Sequence, residues 1–296
     1  MPPAKISVVV PALNEAENLR HVLPLIPKDV HEVILVDGAS TDGTAEVARE
    51  LRPDIRFVQQ QGRGKGAALR SGFSAARGDI VVMLDADGST DPREIPSFVA
   101  ALVGGADFVK GSRFLPGGGT ADMETYRKLG NMAFVYTVRL LFGGRYTDLC
   151  YGYNAFWRRV LPQLQLDGDG FEIETMMNVR ALKAGLIVAE VPSFESHRIH
   201  GESHLRTIPD GLRVLRTILR ERFRSTTLDA RKPVEMPAGR PADIVPISIA
   251  SRVGIHVEDG EGEARESAMA ASSLDTPMAS TEMAAGGART EAAVAR

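Results

Sequence analysis

Short runs of branched apolar residues alternate, over the first third of the chain, with stretches whose apolar residues recur every three or four positions. Residues 6–10 (ISVVV), 32–36 (EVILV), 55–59 (IRFVQ) and 80–84 (IVVML) read as strands covered on both faces. After the first, Leu19, Val22, Leu23 and Ile26 share a helical face, and Asn14 with Glu17 has the spacing of a capping box. After the second, ASTDGTAEVAREL opens on capping residues and puts Val47, Ala48 and Leu51 on one side. After the third, GRGKGAALRSGFSAARG is a glycine-led turn into a small-residue helix. This alternation predicts an α/β fold, a mostly parallel sheet with helices on both faces.

Beyond Asp91 the rhythm loosens. REIPSFVAALV predicts a helix, ADFVKGSRF a strand and turn, PGGGTADM a loop, and ETYRKLGNMAFVYTVRLLFGG a long helix with an apolar second half. GLIVAEVP predicts another strand and PDGLRVLRTILRERFRS a basic amphipathic helix. From 226 to 296 the chain turns rich in Ala, Ser, Gly, Pro and Glu, with almost no aromatics, which predicts a disordered tail behind a domain of residues 1–225.

Composition narrows the function. The 296 residues carry a net charge of −3 and are 44% hydrophobic, enough for a sizeable core and unlike a dedicated nucleic-acid binder. A lone cysteine, Cys150, excludes an intrachain disulfide and fits a reducing cytoplasm; it reads as a buried thiol unless a base stands beside it. The apolar run before Pro11 is too short for a signal peptide, and no stretch reaches the ~20 apolar residues of a membrane span. The expected place is the cytoplasm, with contact to the inner face of the membrane left open.

Ligands of open parallel sheets sit beyond the carboxyl ends of the strands. Polar residues gather at those ends: Asn14 and Glu15 after the first strand, Asp37 after the second, residues 62–66 after the third, Asp85 and Asp87 after the fourth. On an extended chain positions i and i+2 point the same way, so Asp85 and Asp87 can share one cation, and carboxylate oxygens suit Mg²⁺ or Mn²⁺. The plain alternative is a surface turn, since Asp and Gly88 are ordinary turn formers. Asp37 can accept from a base or ribose, or cap the next helix. Arg63 and Lys65 sit on a glycine turn at a helix start, a setting for phosphate, although neither the Walker spacing nor the dinucleotide fingerprint is present.

VVVPALNEAENL, EVILVDGASTDGT, GKGAALRSGFSAARGDIVVMLDADGSTDP and VKGSRF, in that order, resemble the nucleotide-sugar half of family 2 glycosyltransferases, and most closely the dolichyl- and polyprenyl-phosphate sugar synthases. The resemblance spans about residues 6–114. It continues through RYTDLCYGYNAFWR, GDGFEIETMMNVRALKAGLIVAEVP and HRIHGESHLR, which makes 1–114 a donor half and 115–225 an acceptor half. It implies the GT-A fold, a single αβα domain on a Rossmann-like core. It also implies that Pro11, Leu13, Glu15 and Asp37 hold the nucleoside with Lys65 nearby, that Asp85 contacts ribose or metal, and that Asp87 binds the metal. Arg113 would face phosphate or sugar. Arg198, in a match to R-x-x-G-E-S, would clamp phosphate. Gly38 and Ser89 depart from the Asp and Gln that many such relatives carry there.

The resemblance implies a metal-dependent transfer of sugar from a nucleotide diphosphate, with inversion, onto a polyprenyl phosphate or onto a hydroxyl of a soluble small molecule or glycan. For a hydroxyl acceptor, Glu172 or Glu174 would serve as general base; for an ionised phosphate they would bind sugar or orient Arg198, and either can simply complement a helix start. Asp148 has similar standing, and one of His197, His200 and His204 would complete a metal shell unless each is a plain surface or loop histidine, the commoner case. The arginines of the last helix fit an anionic bilayer, or else Leu212, Leu215 and Leu219 pack inward and leave them solvated. A sugar-phosphate nucleotidyltransferase shares the core but calls for a glycine-rich loop where PALNEAENL stands, and a non-catalytic binding protein would not need Asp85, Asp87 and Arg198 together.

Overall fold

The computed structural model describes residues 3–202 and 205–224. The predicted tail at 226–296 and His204 lie outside the described residues. The strands are β1 (Ile6–Ala12), β2 (Glu32–Asp37), β3 (Arg56–Gln59), β4 (Ile80–Met83), β5 (Phe108–Ser112), β6 (Gly119–Thr120), β7 (Asn154–Trp157), β8 (Val188–Pro192) and β9 (Phe194–Glu195). The α-helices are α1 (Ala16–Val22), α2 (Thr44–Leu51), α3 (Lys65–Ala75), α4 (Ile95–Val103), α5 (Thr125–Phe142), α6 (Leu161–Leu164), α7 (Glu172–Lys183) and α8 (Thr207–Phe223).

Seven strands form one sheet in the order β3-β2-β1-β4-β7-β5-β8, and a small second sheet pairs β6 with β9. All pairings are parallel except those of β7, which runs antiparallel to both β4 and β5. Alternation sorts the apolar runs onto two faces. Val8, Val10, Val33, Leu35 and Val82 pack against Leu19, Val22 and Phe98; Val9, Ile34, Val36, Val81 and Met83 pack against Leu69, Phe73, Ile173 and Met177. A third cluster, Val135, Val138, Tyr146, Leu149, Val179, Val214 and Ile218, ties α5 and α8 to α7.

Two sequence expectations change. The Asn14–Glu17 capping box does not form: α1 starts at Ala16, Asn14 adopts φ +57°, and its side-chain oxygen accepts from Thr41 N at 2.9 Å. The cap comes from the β2–α2 loop, where Asp42 accepts from Ala16 N at 3.0 Å and Thr44 Oγ1 from Glu15 N at 2.9 Å. In α8 the inward residues are Asp210, Val214, Thr217, Ile218 and Glu221, while Leu212, Leu215 and Leu219 face out. Polar anchors fix that rotation, because Arg180 of α7 holds the buried Glu221 carboxylate at 2.7 and 3.0 Å and Lys183 reaches it at 3.2 Å.

Burial opposes ionisation of Glu221, yet the hydrogen bonds and charges of Arg180 and then Lys183 outweigh it and hold the carboxyl below its usual range. A depressed folded pKa means stability that is present above the ordinary glutamate value of ~4.3 and lost as pH falls through the folded value. Arg180→Met strips the main partner from a buried charge and should cost about 3 kcal/mol in urea unfolding at neutral pH. The deficit should shrink below pH ~4 as Glu221 is protonated in both states. A loss that does not change with pH would assign the effect to packing.

Candidate active site

The carboxyl ends of β1 to β4 open into one cavity of about 510 Å³ whose walls include Pro11, Leu13, Glu15, Lys65, Asp85 and Asp87. Glu174 and Arg198 close it from the other half of the chain. After β4 the backbone leaves the sheet, and Asp85 and Asp87 take different partners instead of sharing one. Lys65, the first residue of α3, sits between Asp85 Oδ1 at 2.6 Å and Glu174 Oε1 at 2.7 Å. Burial raises the Asp85 pKa to about 6; Lys65 opposes the rise, while the nearby Asp87 and Glu174 charges add to it. Lys65 is held firmly protonated, because the two carboxylates outweigh its own burial.

Asp87 Oδ1 accepts from Ser89 N at 2.9 Å and Ser89 Oγ at 2.7 Å, and Oδ2 meets Arg198 Nη1 at 3.2 Å. Arg198 spans to Glu15 Oε1 at 2.5 Å and donates through Nε to the His200 carbonyl at 2.7 Å. The backbone explains how Arg198 arrives there. Ser196 N donates to Ser89 O at 2.9 Å and Ile199 N to Asp87 O at 3.1 Å, so the RIHG segment lies along the Asp-x-Asp turn. Gly88 permits this approach: its φ is +80°, and a Cβ would stand 2.4 Å from Ile199 Cδ1.

Glu172 and Glu174 separate on folding, since positions i and i+2 of a helix do not face the same way. Glu174 enters the cavity, whereas Glu172 turns back to accept from Gly170 N at 3.1 Å. Asp37 stands at the end of β2 with both oxygens 3.3 Å from Ser40 N, and the Gly38 backbone, not the Asp37 side chain, borders the cavity. Arg113 is 2% exposed and fully paired, with Asp148 at 2.6 and 2.9 Å and Glu195 at 2.9 Å; it stands outside the lining of this cavity but lines the smaller one next to it, and Asp148 braces it from behind. His197 pairs with Asp122 at 3.1 Å at the surface, and the His200 ring lies 5.5 Å from that of His21. Burial pushes the Cys150 thiol up to about 12, which removes it as a nucleophile. The α3 N-terminus is not a free phosphate cradle either. Gly66 N and Ala67 N donate to the Asp169 carbonyl at 2.8 and 3.3 Å.

Two features escaped the sequence. Gln60, just past β3, borders the cavity beside Gly38. Arg127 of α5 lines both this cavity and a second, more apolar one of about 150 Å³ between α5 and α8, walled by Tyr126, Phe134, Leu205 and Val214. Nothing in ETYRKL marks Arg127; its place depends on where α5 docks.

The Glycosyl transferase family 2 model matches residues 7–164, more than half of the chain. The chain belongs to glycosyl transferase family 2. It is 35% identical over 222 residues to the polyprenol monophosphomannose synthase of Mycolicibacterium smegmatis, covering 69% of this chain and 82% of that protein. It is 34% identical over 215 residues to the undecaprenyl-phosphate mannosyltransferase of Micrococcus luteus, covering 68% and 87%. Among solved structures, glucosyl-3-phosphoglycerate synthase of Mycobacterium tuberculosis, in complex with Mn²⁺, UDP and its product, superposes with TM-score 0.59 at 26% identity, covering 74% of this chain and 80% of that one. This family 2 chain is therefore a glycosyltransferase on a GT-A-like fold, similar to the polyprenyl-phosphate sugar synthases. Lys65, Asp85 and Asp87 fall inside the matched segment, while Glu174 and Arg198 lie beyond it.

Proposed function

We propose that this glycosyltransferase takes a sugar from a nucleotide diphosphate donor and attaches it, with inversion, to a polyprenyl phosphate. The observation that carries the reading is the apolar groove between α5 and α8, which joins the carboxylate cavity at Arg127, Phe171 and Glu174. A phosphate headed into the cavity with its hydrocarbon chain in the groove matches that change of lining. On α5 the groove is walled by the first half of the helix, from Tyr126 to Phe134, and not by its more apolar second half.

The donor set fits a divalent cation. Asp85 and Asp87 offer hard carboxylate oxygens at the cavity wall, and Mg²⁺ or Mn²⁺ is commonly held by one or two carboxylates plus substrate phosphates and water. Among the described residues no group of three His, Cys, Asp or Glu side chains could hold a metal, so the donor's diphosphate would supply the remaining oxygens. When bound, the cation would neutralise the departing diphosphate. Arg198 would then exchange its carboxylate partners for phosphate oxygens, and Arg127, now 3.5 Å from Asp122, would meet the acceptor phosphate. An ionised phosphate needs no base, which leaves Glu174 free to keep Lys65 in place.

The outer faces of the two helices support a membrane-borne acceptor. Leu129, Met132, Tyr136 and Leu140 on α5, and Ile208, Leu212, Leu215, Leu219 and Phe223 on α8, are exposed at helical spacing. Arg213, Arg216 and Arg220 run beside the α8 stripe, the arrangement of a helix lying on an anionic surface. No described helix is long and apolar enough to cross a membrane. Binding to anionic vesicles should fall as salt rises.

The test of the acceptor class is Glu174→Gln beside Glu172→Gln, assayed for release of nucleoside diphosphate. With a phosphate nucleophile each should stay within about tenfold of wild type. If one of them costs roughly 10²–10⁴ in rate, the acceptor is an alcohol that needs a general base.

A further inference from the structure

The cavity corner beyond β1, β2 and β3 holds a polar side chain with one end fixed and the other without a hydrogen-bond partner among the described residues. Gln60 Nε2 donates to the Gly62 carbonyl at 3.3 Å and the Gly64 carbonyl at 3.0 Å. Those two acceptors fix the amide, because turning it over would set Oε1 against two carbonyl oxygens. The backbone is anchored as well, with Gln60 N donating to Asp37 O at 3.2 Å. Oε1 therefore points to the other side, 3.0 Å from where a Cβ on Gly38 would stand. Since Gly38 has no side chain, that space belongs to the cavity, with Pro11 and Leu13 as its apolar neighbours. A flat apolar wall with one oriented acceptor at its edge suits a planar ring that presents an N–H.

We propose that Gln60 Oε1 accepts the ring imino N–H of the donor's base, so that the site takes uracil or guanine nucleotides over cytosine and adenine ones. This rests on the nucleotide-donor reading above. Uracil carries the proton on N3 and guanine on N1. The ring nitrogens at the matching edge of cytosine and adenine carry a lone pair instead, which would face the lone pairs of Oε1. A fixed acceptor left against an acceptor loses its water without gaining a bond, and rejection by at least about tenfold follows. Asp37 stands apart from this role here, since its side chain is not among those lining the cavity and its carboxylate is turned to the Ser40 N–H.

Calorimetric titration of the full chain with Mn²⁺ and UDP, GDP, CDP or ADP tests the selection, and the tighter of UDP and GDP names the base. CDP and ADP should bind at least tenfold more weakly than that ligand. The assignment to Gln60 is tested with the ring-methylated partner, N3-methyl-UDP or N1-methyl-GDP. Methylation should weaken binding to wild type by about tenfold or more and change binding to Gln60→Ala by less than threefold. If methylation costs Gln60→Ala as much as wild type, Gln60 acts only by shaping the glycine turn and the proposal is wrong. Equal binding of all four nucleotides overturns the selection but leaves the donor reading standing. Failure of wild type to bind any of them overturns both.

Discussion

Asp87→Ala should lower turnover by at least about 10²–10³, a barrier increase of roughly 3–4 kcal/mol, with the fold unchanged. The Asp87 side chain is about a quarter exposed (24%), and its ties are the turn of Ser89 and the guanidinium of Arg198. Removing it takes a negative charge from the end of β4 and frees Arg198 to stay on Glu15. In the proposed reaction that combination loses both the cation's anchor and the positioning of Arg198. Circular dichroism and the melting temperature should match wild type while nucleoside diphosphate release collapses. Activity within about tenfold of wild type, ~1.4 kcal/mol, would remove Asp87 from the site.

Lys65→Met should be destructive in a different way, lowering both stability and activity. The ammonium stands between Asp85 and Glu174, with side chains 15%, 20% and 7% exposed in that order. Its loss leaves two enclosed carboxylates facing each other with Asp87 close by, a change that typically costs about 3–5 kcal/mol. Urea unfolding should show the deficit at neutral pH, and activity should fall even in the fraction that folds, because Asp85 loses the partner that orients it. Lys65→Arg should not restore it, since a planar fork cannot replace a compact ammonium between two carboxylates. A loss below about 1 kcal/mol would mean that the pairing is weak and that water reaches the carboxylates.

The contrast between these residues shows what the chain reveals unaided. β1, β2 and β4 were legible because strands buried on both faces are continuous apolar runs; β3, expected to be covered as well, is a half-buried edge strand and was legible only from its place in the alternation, and the strand ends with their polar residues followed from topology. β7 was not. Its four residues begin with the buried Asn154, and its antiparallel insertion between β4 and β5 depends on non-local pairing. Asp85 and Asp87 were legible as a pair, but their separate partners were not, because Lys65, Glu174 and Arg198 come from three distant segments. Arg113 looked like a ligand-facing cation from its local motif. Only Asp148 and Glu195, brought to it by folding, show that it is already paired. Gln60 and Arg127 carry no local mark at all.

The most direct test of the central claim is a mass spectrum of the lipid extract after the purified chain is incubated with polyprenyl phosphate, Mn²⁺ and UDP- or GDP-linked sugars. The expected product is a polyprenyl phosphate heavier by one sugar residue, formed in step with free nucleoside diphosphate. Nucleoside diphosphate released with the lipid unchanged and the sugar on a soluble hydroxyl, or pyrophosphate released in its place, would contradict it.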